Sequence, residues 1–188
     1  LLATLLIVIP VGLIVVIIIQ KGLPAINWQF LSDIPRQGMR AGGIFPAIVG
    51  TIYLVTGAII FALPIGLLAA IYLSEYSKDN LLTRLIKLAI VNLAGVPSVV
   101  YGLFGLALFV IFFKFGASIL SGSLTLAILI LPVIITTSRE ALESVPYSFR
   151  EVSLSLGASK WQTIRHIVLP NAIPGILTGT ILGLGRAA

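Results

Sequence analysis

The chain has no cysteine, one histidine, one methionine and only six acidic residues among 188. Without thiols it forms neither disulfides nor thiolate metal sites. A single imidazole, His166, with no carboxylate cluster beside it is a poor basis for a metal centre. There is no Gly-x-x-x-x-Gly-Lys-[Ser/Thr] loop to cradle a nucleotide's phosphates. Nor is there a His-Glu-x-x-His helix or a Gly-x-Ser-x-Gly elbow, which argues against an intramembrane metalloprotease or serine hydrolase. Charge of either sign is scarce, at 10% of residues, against about 25% in soluble domains.

What replaces charge is apolar surface: 59% of residues are hydrophobic and the mean hydropathy is +1.16. Such a chain belongs in a bilayer. The charged residues leave five gaps, at 1–20, 41–74, 88–113, 115–138 and 166–185. Each reaches or exceeds the roughly 20 residues a helix needs to cross the hydrocarbon core. Lipid offers the backbone no hydrogen-bond partner, so these runs must be helices. A barrel would need short alternating strands, and the runs do not alternate. The expected fold is all-α, a polytopic transmembrane helical bundle. Its spans are Leu1–Ile19, Ile44–Tyr72, about Leu88–Phe113, Ser123–Thr137 and about Pro170 to beyond Ala188. The first run could also serve as a signal peptide, but no small-residue cleavage site precedes the next span. Pro64 and Pro97 lie inside long spans, where each removes a backbone donor and predicts a kink.

The net charge of +6 would suggest nucleic acid in a soluble protein. Here the basic residues sit in loops and give the orientation instead. Lys78, Arg84, Lys87, Arg139, Arg150, Lys160 and Arg165 lie in the loops at 75–87 and 139–165. Lys21, Arg36, Arg40 and Lys114 lie on the opposite side. Seven against four places the first pair in the cytoplasm. The domain reading follows: a first transmembrane helix over 1–20, an outward loop over 21–43 rich in Gly and Pro, and a core over 44–188 with a cytoplasmic loop at 139–170. Trp28 and Tyr72 suit interfacial anchoring, and so do Arg139 and Glu140.

The loop at 139–170 carries two helix-start patterns. Ser148-Phe149-Arg150-Glu151 and Ser159-Lys160-Trp161-Gln162 both fit capping boxes, and Gly157 stands where the first helix needs a left-handed cap. The expectation is two short amphipathic helices, one presenting Phe149, Val152 and Leu156, the other Trp161, Ile164 and Val168, joined at a glycine hinge. An ordinary folded loop would carry the same caps, but about 30 residues with their own structure are more often functional.

The stretch Glu151-Val152-Ser153-Leu154-Ser155-Leu156-Gly157-Ala158, followed by Ile167-Val168-Leu169-Pro170, resembles the EAA loop of binding-protein-dependent ABC importer permeases. That pattern runs E-A-A, three residues, G, nine residues, I-x-L-P. Every gap is kept, and Val152-Ser153 replaces Ala-Ala. Asn92–Leu106, Ser121–Pro132, Glu140–Pro146 and Pro170–Ala187 resemble the A-type permeases of phosphate importers, the PstA family, so the likeness covers nearly the whole chain. It implies the ABC importer permease (MetI-like) fold, with five of about six spans present. It also implies that Glu151, Gly157, Ala158, Ile167, Leu169 and Pro170 couple the spans to an ATPase. An amphipathic helix laid in a partner's groove is physically suited to that task. The implied partners are a C-type permease subunit forming a heterodimer, a homodimeric ATPase subunit that holds ATP and Mg, a phosphate-binding protein, phosphate and membrane lipid, with no nucleic acid. No catalytic residue and no cofactor are expected on this subunit.

Arg186 ends a long run with no other charge. A guanidinium at membrane depth is costly and faces a cavity or a partner, and its fork suits an oxyanion; the alternative is snorkelling from a helix end. The resemblance places Arg186 in the substrate pathway. Asn92, Ser98 and Tyr101 are read as hydrogen-bonding to neighbouring helices, and Gly175, Gly179 and Gly183 as a close-packing stripe. The remaining alternatives are a permease for sulfate or molybdate, or a secondary transporter. The latter is disfavoured because no Asp or Glu occurs between residues 80 and 139.

Overall fold

In a computed structural model, residues 2–38 and 40–187 are described. Leu1 and Ala188, the outer residues named for the first and last expected spans, and Met39 lie outside the described residues. The chain forms two compact units, Leu1–Gly50 and Thr51–Ala188.

In the first unit, α1 (Leu2–Gly22) is an apolar helix whose described side chains are exposed. A short helix, α2 (Trp28–Ser32), opens on Asn27, whose side chain accepts from the Phe30 amide at 2.8 Å. The glycine-rich loop after it folds back on α2. The Ile44 amide bonds the Phe30 carbonyl at 2.9 Å, and Gly42 adopts φ +90° against the Ile34 carbonyl. A side chain there would meet that carbonyl, so glycine is required.

The second unit is built around α6 (Ile119–Glu143). Against it pack α3 (Phe45–Ile71), extended by a π-wound turn at Tyr72–Tyr76, α5 (Ser98–Gly105) and α9 (Leu169–Ala187). The core is apolar and made largely of small residues. Ala58, Ala62, Ala127, Ile130 and Ile134 form one cluster; Ala70, Ile71, Leu142, Ile164, Val168 and Ala172 belong to another nearer the end of α6. Lipid gives helices no hydrophobic reason to associate, so close backbone approach must supply the packing. The glycine stripe of α9 does this. A Cβ on Gly175 would come within 2.6 Å of Ala141 Cβ, one on Gly179 would collide with Thr137, and one on Gly183 would touch Ile134 at 3.5 Å. Gly66 of α3 brings Ile134 equally close from another side.

Three sequence expectations are corrected. The third span is not one kinked helix: α4 (Leu81–Ala94) and α5 with its π-wound extension to Phe112 meet at a 98° bend. Pro64 and Pro132 sit inside unbroken helices, so proline alone does not cause the break. At 95–97, Gly95 ends α4, and Pro97 both lacks a donor and disfavours the helical region for Val96. The capping box at Ser148 does not form. Pro146, with ψ 135°, opens α7 (Tyr147–Ser155) two residues earlier, so Ser148 is already helical. The second loop helix is not separate. Its box does form, with the Ser159 amide donating to Gln162 Oε1 at 2.7 Å. From there α8 (Lys160–Thr163) continues through a π-wound turn, Ile164–Val168, into α9 as one helical run.

Candidate coupling elbow and transport path

Within the loop at 139–170, residues 144–159 therefore lie outside the long helices, and α7 is their helical part. Its end is a Schellman motif. The Gly157 amide donates to the Leu154 carbonyl at 3.0 Å and the Ala158 amide to the Ser153 carbonyl at 3.2 Å, with Gly157 at φ +84°. The left-handed cap expected of Gly157 is present, and two hydrogen bonds make it a fixed elbow. Across the elbow, the buried hydroxyls of Ser153 and Thr163 bond at 2.9 Å and tie α7 to α8.

On its other side α7 is held by Arg150. Nε and Nη2 donate to the Glu75 carboxylate, the shortest contact being 2.6 Å, while Nη1 donates to the Val145 carbonyl at 2.7 Å and Nη2 to the Leu142 carbonyl at 2.9 Å. Both charged side chains are largely buried, at 12% and 9% exposed. The guanidinium thus also meets the negative end of α6. Lys160 lies over the Tyr76 ring at 4.9 Å. A half-open cleft of about 520 Å³ borders the pair, lined in part by Tyr147, Leu154 and Glu143. The exposed surface of α7 and its cap carries large apolar side chains: Phe149, Val152 at 60% and Leu156 at 83% exposed, and Trp161 of α8 is 50% exposed. Of the residues on the expected second face, Ile164 and Val168 are instead buried in the core.

The residues matched to the EAA pattern do not form one pocket. Glu151 is exposed, Gly157 makes the elbow, and Ala158 is half-buried behind it. Ile167 and Leu169 are half-buried on the helical run into α9, and Pro170 is exposed there. The residues that hold this region, Arg150, Glu75, Ser153 and Thr163, were not among the sequence candidates. Arg150 counted only as a loop charge, and a partner 75 residues away leaves no local signal.

Arg186 lies one turn beyond Gly183, which packs on Ile130 and Ile134 midway along α6. Its exposed guanidinium donates twice, at 3.1 Å, to the Ala94 carbonyl, the last of α4. The Tyr101 hydroxyl donates across the same break to the Leu93 carbonyl at 2.8 Å, within its own expected span and not to a neighbouring one. The Ala94 carbonyl is one that the end of a helix leaves without an intrahelical donor, whereas the Leu93 carbonyl also accepts the Val96 amide at 3.1 Å. Asn92 and Ser98 are exposed. In the loop at 77–80, Arg84 forks onto Asp79 at 2.8 and 2.9 Å and holds its carboxyl below the ordinary carboxylate value.

The long apolar helices define a multi-pass membrane protein. The chain belongs to the family described as binding-protein-dependent transport system inner membrane component, which matches residues 62–188. It is similar to a probable ABC transporter permease protein, YqgI of Bacillus subtilis, with 35% identity over 90% of this chain and 58% of the relative. It is also similar to the phosphate transport system permease protein PstA of Pasteurella multocida, at 37% over 90% of this chain and 60% of the relative. A third relative is PstA 1 of Mycobacterium tuberculosis, at 40% over 78% of this chain and 48% of the relative. The chain spans about half to three-fifths of these relatives' lengths.

Proposed function

We propose that the full-length protein is the permease subunit of an ATP-driven phosphate importer and does no bond chemistry itself. The likeness to phosphate permeases, 37% and 40% identical, carries the substrate reading. The exposed apolar side chains of α7 and its cap support docking to a cytoplasmic ATPase, because a surface helix of this kind fits a groove. On this reading residues 75–87 and 139–165 face the cytoplasm, and residues 21–43 face outward. Residues 1–20 are the first span, and residues 44–188 are the permease core. ATP and Mg stay with the ATPase, a C-type permease completes the pathway as a heterodimer, and a phosphate-binding protein delivers substrate.

Arg186 serves the pathway. Irregular backbone at membrane depth is tolerated only against protein or a water-lined cavity. The break is exposed in this chain, with an exposed guanidinium beside it. The test is radiolabelled phosphate uptake by the full-length protein, expressed with its neighbouring transport genes in cells lacking phosphate permeases, with excess sulfate present. ATP-dependent uptake that sulfate does not inhibit supports the reading. Sulfate inhibition, or assembly with the ATPase but no phosphate uptake, moves the substrate to another oxyanion.

A further inference from the structure

The proposed docking of α7 needs a route from that helix into the spans, and the bonds that α7 makes are unevenly distributed along it. Besides the Arg150 bonds to the end of α6, two attachments of α7 meet π-wound turns: Glu75 lies within Tyr72–Tyr76 after α3, and Thr163 directly precedes Ile164–Val168 before α9. Such turns are rare and lie frequently at functional sites. The Schellman turn at Gly157 is locked, so α7 moves as a block with whatever it is bonded to.

We propose that the Arg150–Glu75 pair is the clamp through which displacement of α7 reaches α3. The proposal rests on the reading that α7 docks an ATPase, and Arg150 is a positioning residue within that scheme. Arginine suits the role because its planar fork engages the carboxylate and two carbonyls of the α6 terminus at once. Lysine presents a compact charge and cannot reproduce that geometry. The carboxylate is equally specific: a glutamine at 75 keeps the shape but removes the charge that holds the guanidinium.

The test uses the full-length permease co-expressed with its transport genes, measuring phosphate uptake and ATP hydrolysis on the same membranes. Glu75→Gln and Arg150→Lys are expected to retain the ATPase and its hydrolysis while phosphate moved per ATP falls about tenfold, a typical size for coupling between sites. Removing one member of a buried pair leaves an uncompensated charge and threatens folding. The double variant Glu75→Gln/Arg150→Met, which removes both charges, is therefore made beside them and is expected to fold and to be equally uncoupled. Spin labels at Tyr72→Cys and Ser155→Cys report the clamp directly. Their separation is expected to stay constant on ATP binding in the otherwise wild-type protein and to change in the Glu75→Gln background.

Wild-type transport per ATP in the single variants or in the double variant overturns the proposal. So does a label separation that ignores the Glu75→Gln change. A wild-type complex that retains no ATPase overturns the docking reading and this proposal with it, whereas coupled variants in a complex that retains it overturn this proposal alone.

Discussion

At the elbow between α6 and α8, a largely buried guanidinium, a buried hydroxyl pair, a Schellman turn and a capping box hold a segment of sixteen residues, 144–159. At the break between α4 and α5, a 98° turn is held by short-range backbone bonds and by two side chains, one phenol and one exposed guanidinium, each bonded to a single backbone carbonyl. The elbow is cross-linked to three helices, which fix its shape. The break is held by bonds that are individually exchangeable: a net hydrogen bond is worth about 0.5–1.5 kcal/mol, and one to an ion about 1.5–3. Under the proposed function, the first design suits a region that transmits displacement and the second one that releases an anion.

That contrast can be broken most severely at Arg186. Arg186→Gln is expected to lower phosphate uptake on the order of 100-fold, the cost of losing charge-assisted bonds to the anion, while the complex still assembles. Normal uptake would make Arg186 a snorkelling residue and a cap for α4. The next effect is in the α6–α9 interface that both regions share. Gly179→Leu drives a side chain into Thr137 and should cost about 1–3 kcal/mol, read as a lower midpoint of thermal unfolding in detergent. Gly183→Ala meets only ordinary contact at 3.5 Å and should leave that midpoint almost unchanged. If the two variants behave alike, the packing account of the stripe is wrong.

At the elbow itself, Gly157→Val finds no steric obstacle but must adopt φ +84°, a strain of about 1–2 kcal/mol. The protein should insert and its ATPase should still turn over, while uptake per ATP falls. Full coupling in this variant would mean that the left-handed turn is dispensable. The smallest effect is expected at Asp79, outside both regions. Its carboxyl is held below its ordinary value by the hydrogen bonds and charge of Arg84. A depressed folded value contributes stability that is present above the unfolded value and lost as pH falls through the folded one. Unfolding midpoints of wild type and Asp79→Asn should therefore coincide below the acid transition, and at neutral pH they should differ little, because the pair is fully exposed and water screens it. A large neutral-pH difference would show that this loop is covered in the complex.

Much of the architecture was legible in the residues. The charge-free gaps located the apolar helices, the α9 glycines announced their packing face, and Ser159 and Gly157 carried their cap and turn. Each depends on chemistry within a few positions: exclusion of charge from lipid, absence of Cβ, a side chain bonding its own backbone. The errors share a cause as well. Ser148 satisfied a local pattern that Pro146 pre-empted, and Pro97 was read like Pro64 although Gly95 and Val96 make its surroundings different. The π-wound turn joining α8 to α9 carried no recognised marker.

The sequence alone therefore determined that this is a helical membrane protein, where its apolar runs lie, and which family it resembles, because burial in lipid constrains every backbone group locally. Only the tertiary structure decided that Glu75 and Arg150 meet, that Ser153 finds Thr163, and that Arg186 reaches the end of α4. Such partners are separated by up to 92 residues, and a charge's neighbours depend on how the helices between them pack.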